Sequence, residues 1–166
     1  MNNNLITYIT QTFLFIIIQV LILNEILFFT YINPFLYIIL VITLPLSIPK
    51  WGLLFYAFFV GCTIDLFSDS LGFHSTALVF MAFMKPLISK LTIPHNILSE
   101  TDKITLDKIG PKSFITFTSI LTIIHHLLLF IITHLDLNFN IILKSIASVI
   151  VTLILIIITQ LFEKRK

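Results

Sequence analysis

The chain has 166 residues, of which 58% are hydrophobic and 11% charged, whereas soluble domains run at roughly 45–50% and about 25%. So little polar surface cannot coat a water-soluble core, and a mean hydropathy of +1.08 points to lipid as the solvent. The formal net charge of +2 gives no basis for a nucleic-acid partner, and the single cysteine, Cys62, excludes a disulfide framework or a cysteine-based metal site within the chain.

Crossing a hydrocarbon core takes about 20 apolar helical residues, with a range of roughly 17–25. Six segments approach that length: 5–23, 33–48, 51–67, 71–88, 113–135 and 138–162. They are long runs without period-two alternation, and a spanning segment must satisfy its backbone internally, so helices are predicted. The expected fold is an all-α membrane protein, a single polytopic bundle of about six helices. The first segment follows Met1-Asn2-Asn3-Asn4 without a basic lead, and Asn24-Glu25 interrupts it, so it reads as a membrane helix rather than a removed signal. The second is short and ends at Pro45 and Pro49. Segments two to four are joined by tight turns, which allows one of them to be re-entrant.

Orientation is expected from the basic residues. Lys50 precedes the third segment. Lys85, Lys90, Lys103, Lys108 and Lys112 are assigned to the connection after the fourth, and Lys164, Arg165 and Lys166 end the sequence. With six spans these share one side, which predicts a cytoplasmic loop at 89–112 and both termini in the cytoplasm. Lys144 is the exception. Within the loop, Ser99 and Asp102 resemble a capping box ahead of Ile104, Leu106 and Ile109. This predicts either a short interfacial helix or a solvated connector, with Gly110-Pro111 breaking the chain before the fifth span.

The turn between the third and fourth segments carries Gly61, Asp65, Ser68, Asp69, Ser70, Leu71, Gly72 and His74. An acid at the membrane boundary is a functional candidate by default. Asp65 can equally accept hydrogen bonds from turn amides, with Asp69 or Ser70 capping the next helix, and the structural role is the expected one. Gly61 and Gly72 fit close helix approach or a tight turn. Among the histidines, His125 and His126 point about 100° apart on a helix and are poorly placed for one metal. His134 with Asp136 suggests an interfacial pair, and Glu25 is an interfacial carboxylate or a partner within the bundle. Glu25, His125, His126 and His134 are therefore candidate interhelical polar contacts. No catalytic, cofactor-binding or metal-binding motif appears, so neither an enzyme nor a cofactor is expected.

The hairpin resembles that of the bacterial rod shape-determining MreD family, in the pattern Gly61, Asp65, Ser68, Leu71, Gly72. Lys85-Pro86 and Ile124-His125-His126-Leu127 are similar to members from the Bacteroidetes group, and the likeness extends over the whole chain in length and loop placement. The resemblance implies a non-enzymatic inner-membrane subunit of the cell-elongation complex, scaffolding lateral peptidoglycan synthesis. Its direct partner would be MreC, with RodA, penicillin-binding protein 2 and MreB reached indirectly. The alternative is a solute-binding membrane subunit of an energy-coupling-factor vitamin transporter, which is similar in size and span number.

Overall fold

The computed structural model describes residues 3–24, 32–94, 97, 102–134 and 139–163, and every regular element among them is a helix. Helix α1 runs Asn3–Ile18 and continues through a π-helical turn, Gln19–Leu23. Helix α2 is a 3₁₀ turn, Leu36–Ile38, followed by one α-helical turn, Ile39–Ile42. Then come α3 (Lys50–Phe67), α4 (Phe73–Thr92), α5 (Leu106–His134) and α6 (Phe139–Glu163).

Among the described residues, four helical stretches are long and apolar enough to cross a membrane, against the six expected: Ile6–Leu23, Lys50–Phe67, Leu106–His134 and Phe139–Glu163. They make the chain a multi-pass membrane protein by length and composition. The bundle buries polar side chains within an apolar core and exposes large hydrophobic ones. On α6 the buried positions are Ser145, Ser148, Val149, Thr152, Ile156 and Gln160, whereas Ile146, Ile150, Ile154 and Ile158 face outward. The outer face of α3 is Trp51, Phe55, Phe58, Phe59, Leu66 and Phe67, while Gly61 and Asp65 are buried. In water such a surface would aggregate; in lipid it is the solvated face.

The segment 33–48 is helical only at 36–42, about 10–15 Å of helix, and it is enclosed by protein, with Tyr37, Ile38, Val41 and Ile42 fully buried. Pro45 and Pro49 explain its brevity. Helix α4 is continuous over 20 residues despite Pro86 inside it. Helices α3 and α4 are joined by five residues and pack as an antiparallel pair. At Gly61 an added Cβ would stand 2.3 Å from the Ser75 Cα, so only glycine permits this approach. Thr12 Oγ1 and Tyr56 OH, 2.6 Å apart, tie α1 to α3.

Two expectations for the lysine-rich loop need correction. Lys85 does not belong to the connection: it lies inside α4 and is fully buried. Residues 102–105 are not a solvated connector, because Ile104 is fully buried and its N–H donates to the Thr43 carbonyl at 2.9 Å. Lys103 reaches Glu163 at 2.5 Å and Gln11 Oε1 at 3.1 Å, linking this stretch to α6 and α1. Of the capping pair, Ser99 lies outside the described residues, while Asp102 pairs with Lys108 at 3.1 Å. Gly110 breaks α5 as expected, with φ 77° and ψ 158°. The helix resumes at Pro111, whose missing N–H costs nothing in a first turn.

Candidate functional site

The polar core begins at the α3–α4 turn. Gly72 takes a left-handed φ of 87° and occupies the N-cap of α4 without a side chain to cap it. Asp65, in the last turn of α3, supplies the missing acceptor. Its Oδ1 accepts from the His74 N–H at 2.9 Å and from the Ser70 hydroxyl at 2.5 Å, and its Oδ2 accepts from the Ser75 N–H at 2.9 Å. A carboxylate at the positive end of a helix is favoured by charge as well as by hydrogen bonding. The expectation that Asp69 or Ser70 caps α4 is thereby corrected. Ser70 donates to Asp65 instead, and Asp69 is exposed with φ 49°. Ser68 ends α3, its N–H bonded to the Ile64 carbonyl at 3.0 Å and its Oγ accepting from Asn24 at 2.8 Å. Leu71 is 90% exposed and makes no contribution to the core.

A second polar construction holds α2. Gln19, fully buried in the π-turn of α1, accepts at Oε1 from the Leu36 N–H at 2.8 Å and donates from Nε2 to the Pro34 carbonyl at 3.0 Å. It caps the first turn of α2 from a neighbouring helix. At the other end, the Lys85 ammonium donates to the carbonyls of Val41 at 2.9 Å and Leu44 at 2.6 Å. Pro45 makes this necessary: it stands four residues after Val41 and has no N–H to offer. Carbonyls left over at a helix C-terminus carry partial negative charge, and a lysine complements them. Helix α6 holds the irregular segment entering α2, with Ser148 Oγ accepting from the Asn33 N–H at 3.0 Å and Thr152 Oγ1 from the Phe35 N–H at 3.1 Å.

Between these constructions lies a ring cluster. The Tyr37 hydroxyl is 2.9 Å from His74 Nδ1 and 2.9 Å from His125 Nε2. Having one proton, it can donate to only one imidazole and must accept from the other. His126 has a defined direction. Its Nδ1 lies 2.9 Å from the Thr122 carbonyl and therefore carries the proton, so in the neutral ring Nε2 accepts from Thr152 Oγ1 at 3.1 Å. Phe35 packs among His74, His125 and His126 with ring centroids 5.3, 5.8 and 5.1 Å away. Both expected histidines thus face inward, but toward different partners, His125 to α2 and His126 to α6. Asp65 orients no imidazole, since its oxygens are taken by amides and a hydroxyl. The arrangement organises backbone and rings. Among the described residues no group of three or more His, Cys, Asp or Glu side chains could hold a metal ion.

Above the ring cluster a cavity of about 450 Å³ opens at the α3–α4 turn, with Asn24, Asn33, Asp69, His74 and His134 among its polar walls and Phe35 in its lining. His134 is exposed at the end of α5 and stacks obliquely on Phe130 at 5.8 Å. Glu25, and Asp136 as a partner for His134, lie outside the described residues.

The structure thus places Gly61, Asp65, Ser68 and Gly72 along one hairpin, Gly61 and Asp65 on α3 and Ser68 and Gly72 in the turn after it, and buries His125 and His126 nearby. Gln19, Tyr37, Lys85 and Thr152 were not singled out as site residues from the sequence. The signal for two of them was present: a lone amide within Phe15-Ile16-Ile17-Ile18-Gln19-Val20-Leu21, and a lysine inside an apolar segment, each a polar group that must find a partner in the membrane. No protein-family model, no curated protein and no solved structure matches the chain.

Proposed function

We propose that the protein is a non-enzymatic scaffold of the bacterial inner membrane, acting in the cell-elongation complex in the manner of MreD. In this reading it holds MreC, and through it MreB, RodA and penicillin-binding protein 2, at the sites of lateral peptidoglycan synthesis. The observation that supports it most is the hairpin. Of the five residues that carry the resemblance, Gly61, Asp65, Ser68 and Gly72 each perform a conformational task there, Leu71 is exposed and performs none, and Asp65 holds α4 onto α3. A scaffold needs such rigidity in its lipid-embedded surface, and no reacting group is required of it. Helix α4 and the segment 33–48 complete six passes in this reading, the latter as a broken span shielded by the rest of the bundle. Both termini and the 89–112 connection then face the cytoplasm, and the six-pass bundle is of the kind seen in solute-binding subunits of energy-coupling-factor transporters.

The cavity of about 450 Å³ favours one second reading, a solute-binding subunit, because it combines amide, carboxylate, imidazole and aromatic walls. Depletion in a rod-shaped host separates the two. The scaffold reading expects rounded cells and co-purification of MreC in mild detergent. Normal cell shape, together with a vitamin-like solute retained at nanomolar affinity by the purified protein, would overturn it in favour of the alternative.

A further inference from the structure

Beyond the scaffold reading, we propose that the α3–α4 face binds an anionic glycerophospholipid, its phosphate between Lys50 and Lys90 and an acyl chain along the apolar groove beside them. Lys50 is the first residue of α3 and Lys90 lies in the last turn of α4, so the antiparallel pair places both lysines at the same end of the bundle. They share a cavity of about 480 Å³ with Ser47 and Ser89. They also share a second of about 350 Å³ whose other walls include Leu54, Phe83 and Leu87. Leu54 and Phe83 continue into a third of about 550 Å³, lined further by Phe58, Val79 and Phe80. The shared residues make these one trough, polar and cationic at its mouth and apolar along its length. Buried Ala82 and Ser75, small side chains of α4, help form its walls.

Charge selects the occupant. Both lysines are exposed, and among the described residues neither meets a carboxylate, whereas Lys103 and Lys108 are paired with Glu163 and Asp102. The first turn of α3 adds to the positive potential, since Pro49 at its N-cap offers no side-chain acceptor to the free amides. An anionic lipid carries its phosphate at the membrane interface and its chains into the hydrocarbon, matching the trough in both parts. Basic pockets between membrane helices bind such headgroups, each lysine contributing about fivefold in affinity.

The test uses the full chain in neutral detergent, with binding of phosphatidylglycerol and of phosphatidylcholine with the same chains followed by native mass spectrometry. Phosphatidylglycerol is expected to bind at least about tenfold more tightly. Replacing both lysines (K50Q/K90Q) should weaken it about 30-fold and leave phosphatidylcholine unchanged. Removing a single charge elsewhere (K112Q) should cost less than about twofold, against about fivefold for either site lysine alone, as expected for a charge outside the site. Val79→Phe, which fills the groove without touching a charge, should also displace phosphatidylglycerol, and soluble glycerol phosphate should not compete. Equal binding of the two lipids, full affinity in K50Q/K90Q, or a membrane polypeptide occupying this face to the exclusion of lipid would each overturn the proposal. Monodisperse elution of the exposed-lysine variants shows that they remain folded.

Discussion

Asp65 and Lys85 are both buried charges, and each completes a helix end that the helix itself leaves open. The acid serves the N-terminus of α4 and the lysine serves the C-terminus of α2, each with the sign that the helix end favours. They differ in reach. All three partners of Asp65 lie five to ten residues away in sequence, within one turn. The two partners of Lys85 lie 44 and 41 residues away, across the bundle. The hairpin can therefore close as soon as its own residues exist, whereas α2 acquires its stability only from the assembled tertiary structure.

Removing the acid should produce the largest effect. Asp65→Ala leaves two buried amides and a hydroxyl without acceptors and is expected to cost about 4 kcal/mol, measured by reversible denaturation in mixed micelles. Asp65→Asn keeps one acceptor oxygen and should lose about half as much. Gly61→Ala comes next, at about 3 kcal/mol, because the added carbon meets the Ser75 backbone and forces α3 from α4. If that separation also breaks the Asp65–Ser75 bond, the G61A/D65A double variant will fall well short of the sum. Strict additivity would show that close packing and capping are independent.

The lysine is expected to matter less than the acid. Lys85→Met orphans two carbonyls but also removes an ammonium that must be kept out of water, so the net loss should be about 2 kcal/mol. A variant more stable than the parent would mean that desolvation outweighs the hydrogen bonds, and the comparison of the two charges would then reverse. Tyr37→Phe is the smallest change, about 1 kcal/mol, because it silences the link between His74 and His125 while preserving ring packing. Imidazole NMR resonances should report it: both rings should shift, with those of His126 nearly unmoved.

The same difference in reach governs what the sequence makes legible. That Asp65 accepts from turn amides can be read because glycine, acid and serine stand within a few positions of one another. Which of the acids and serines caps α4 cannot, since Asp69 or Ser70 is the expected cap and the role falls to Asp65. The long helices can be read because lipid demands unbroken apolar stretches. The true state of 33–48 cannot, since a segment enclosed by protein and one facing lipid call for the same apolar residues. Hydropathy does not tell the two apart. Lys85 was misplaced for a related reason. Counting basic residues toward one side assumes that a lysine near a helix end reaches water, whereas here Pro45 creates an acceptor inside the bundle. Gln19 and Thr152 belong to the same class, polar residues whose partners become neighbours only through the fold.

The dependence of α2 on other helices also has a meaning in time. Its backbone is held by Gln19 from α1, by Lys85 from α4, and through its entry segment by Ser148 and Thr152 from α6. A ribosome makes this segment before α3, α4 and α5, yet the last of those supports lie 115 and 117 residues further along the chain. Until those neighbours arrive, the Asn33 and Phe35 amides and the Val41 and Leu44 carbonyls lack the partners that hold them in the finished fold. Its final placement must follow the insertion of its later neighbours, so the order of synthesis and the order of settling are not the same.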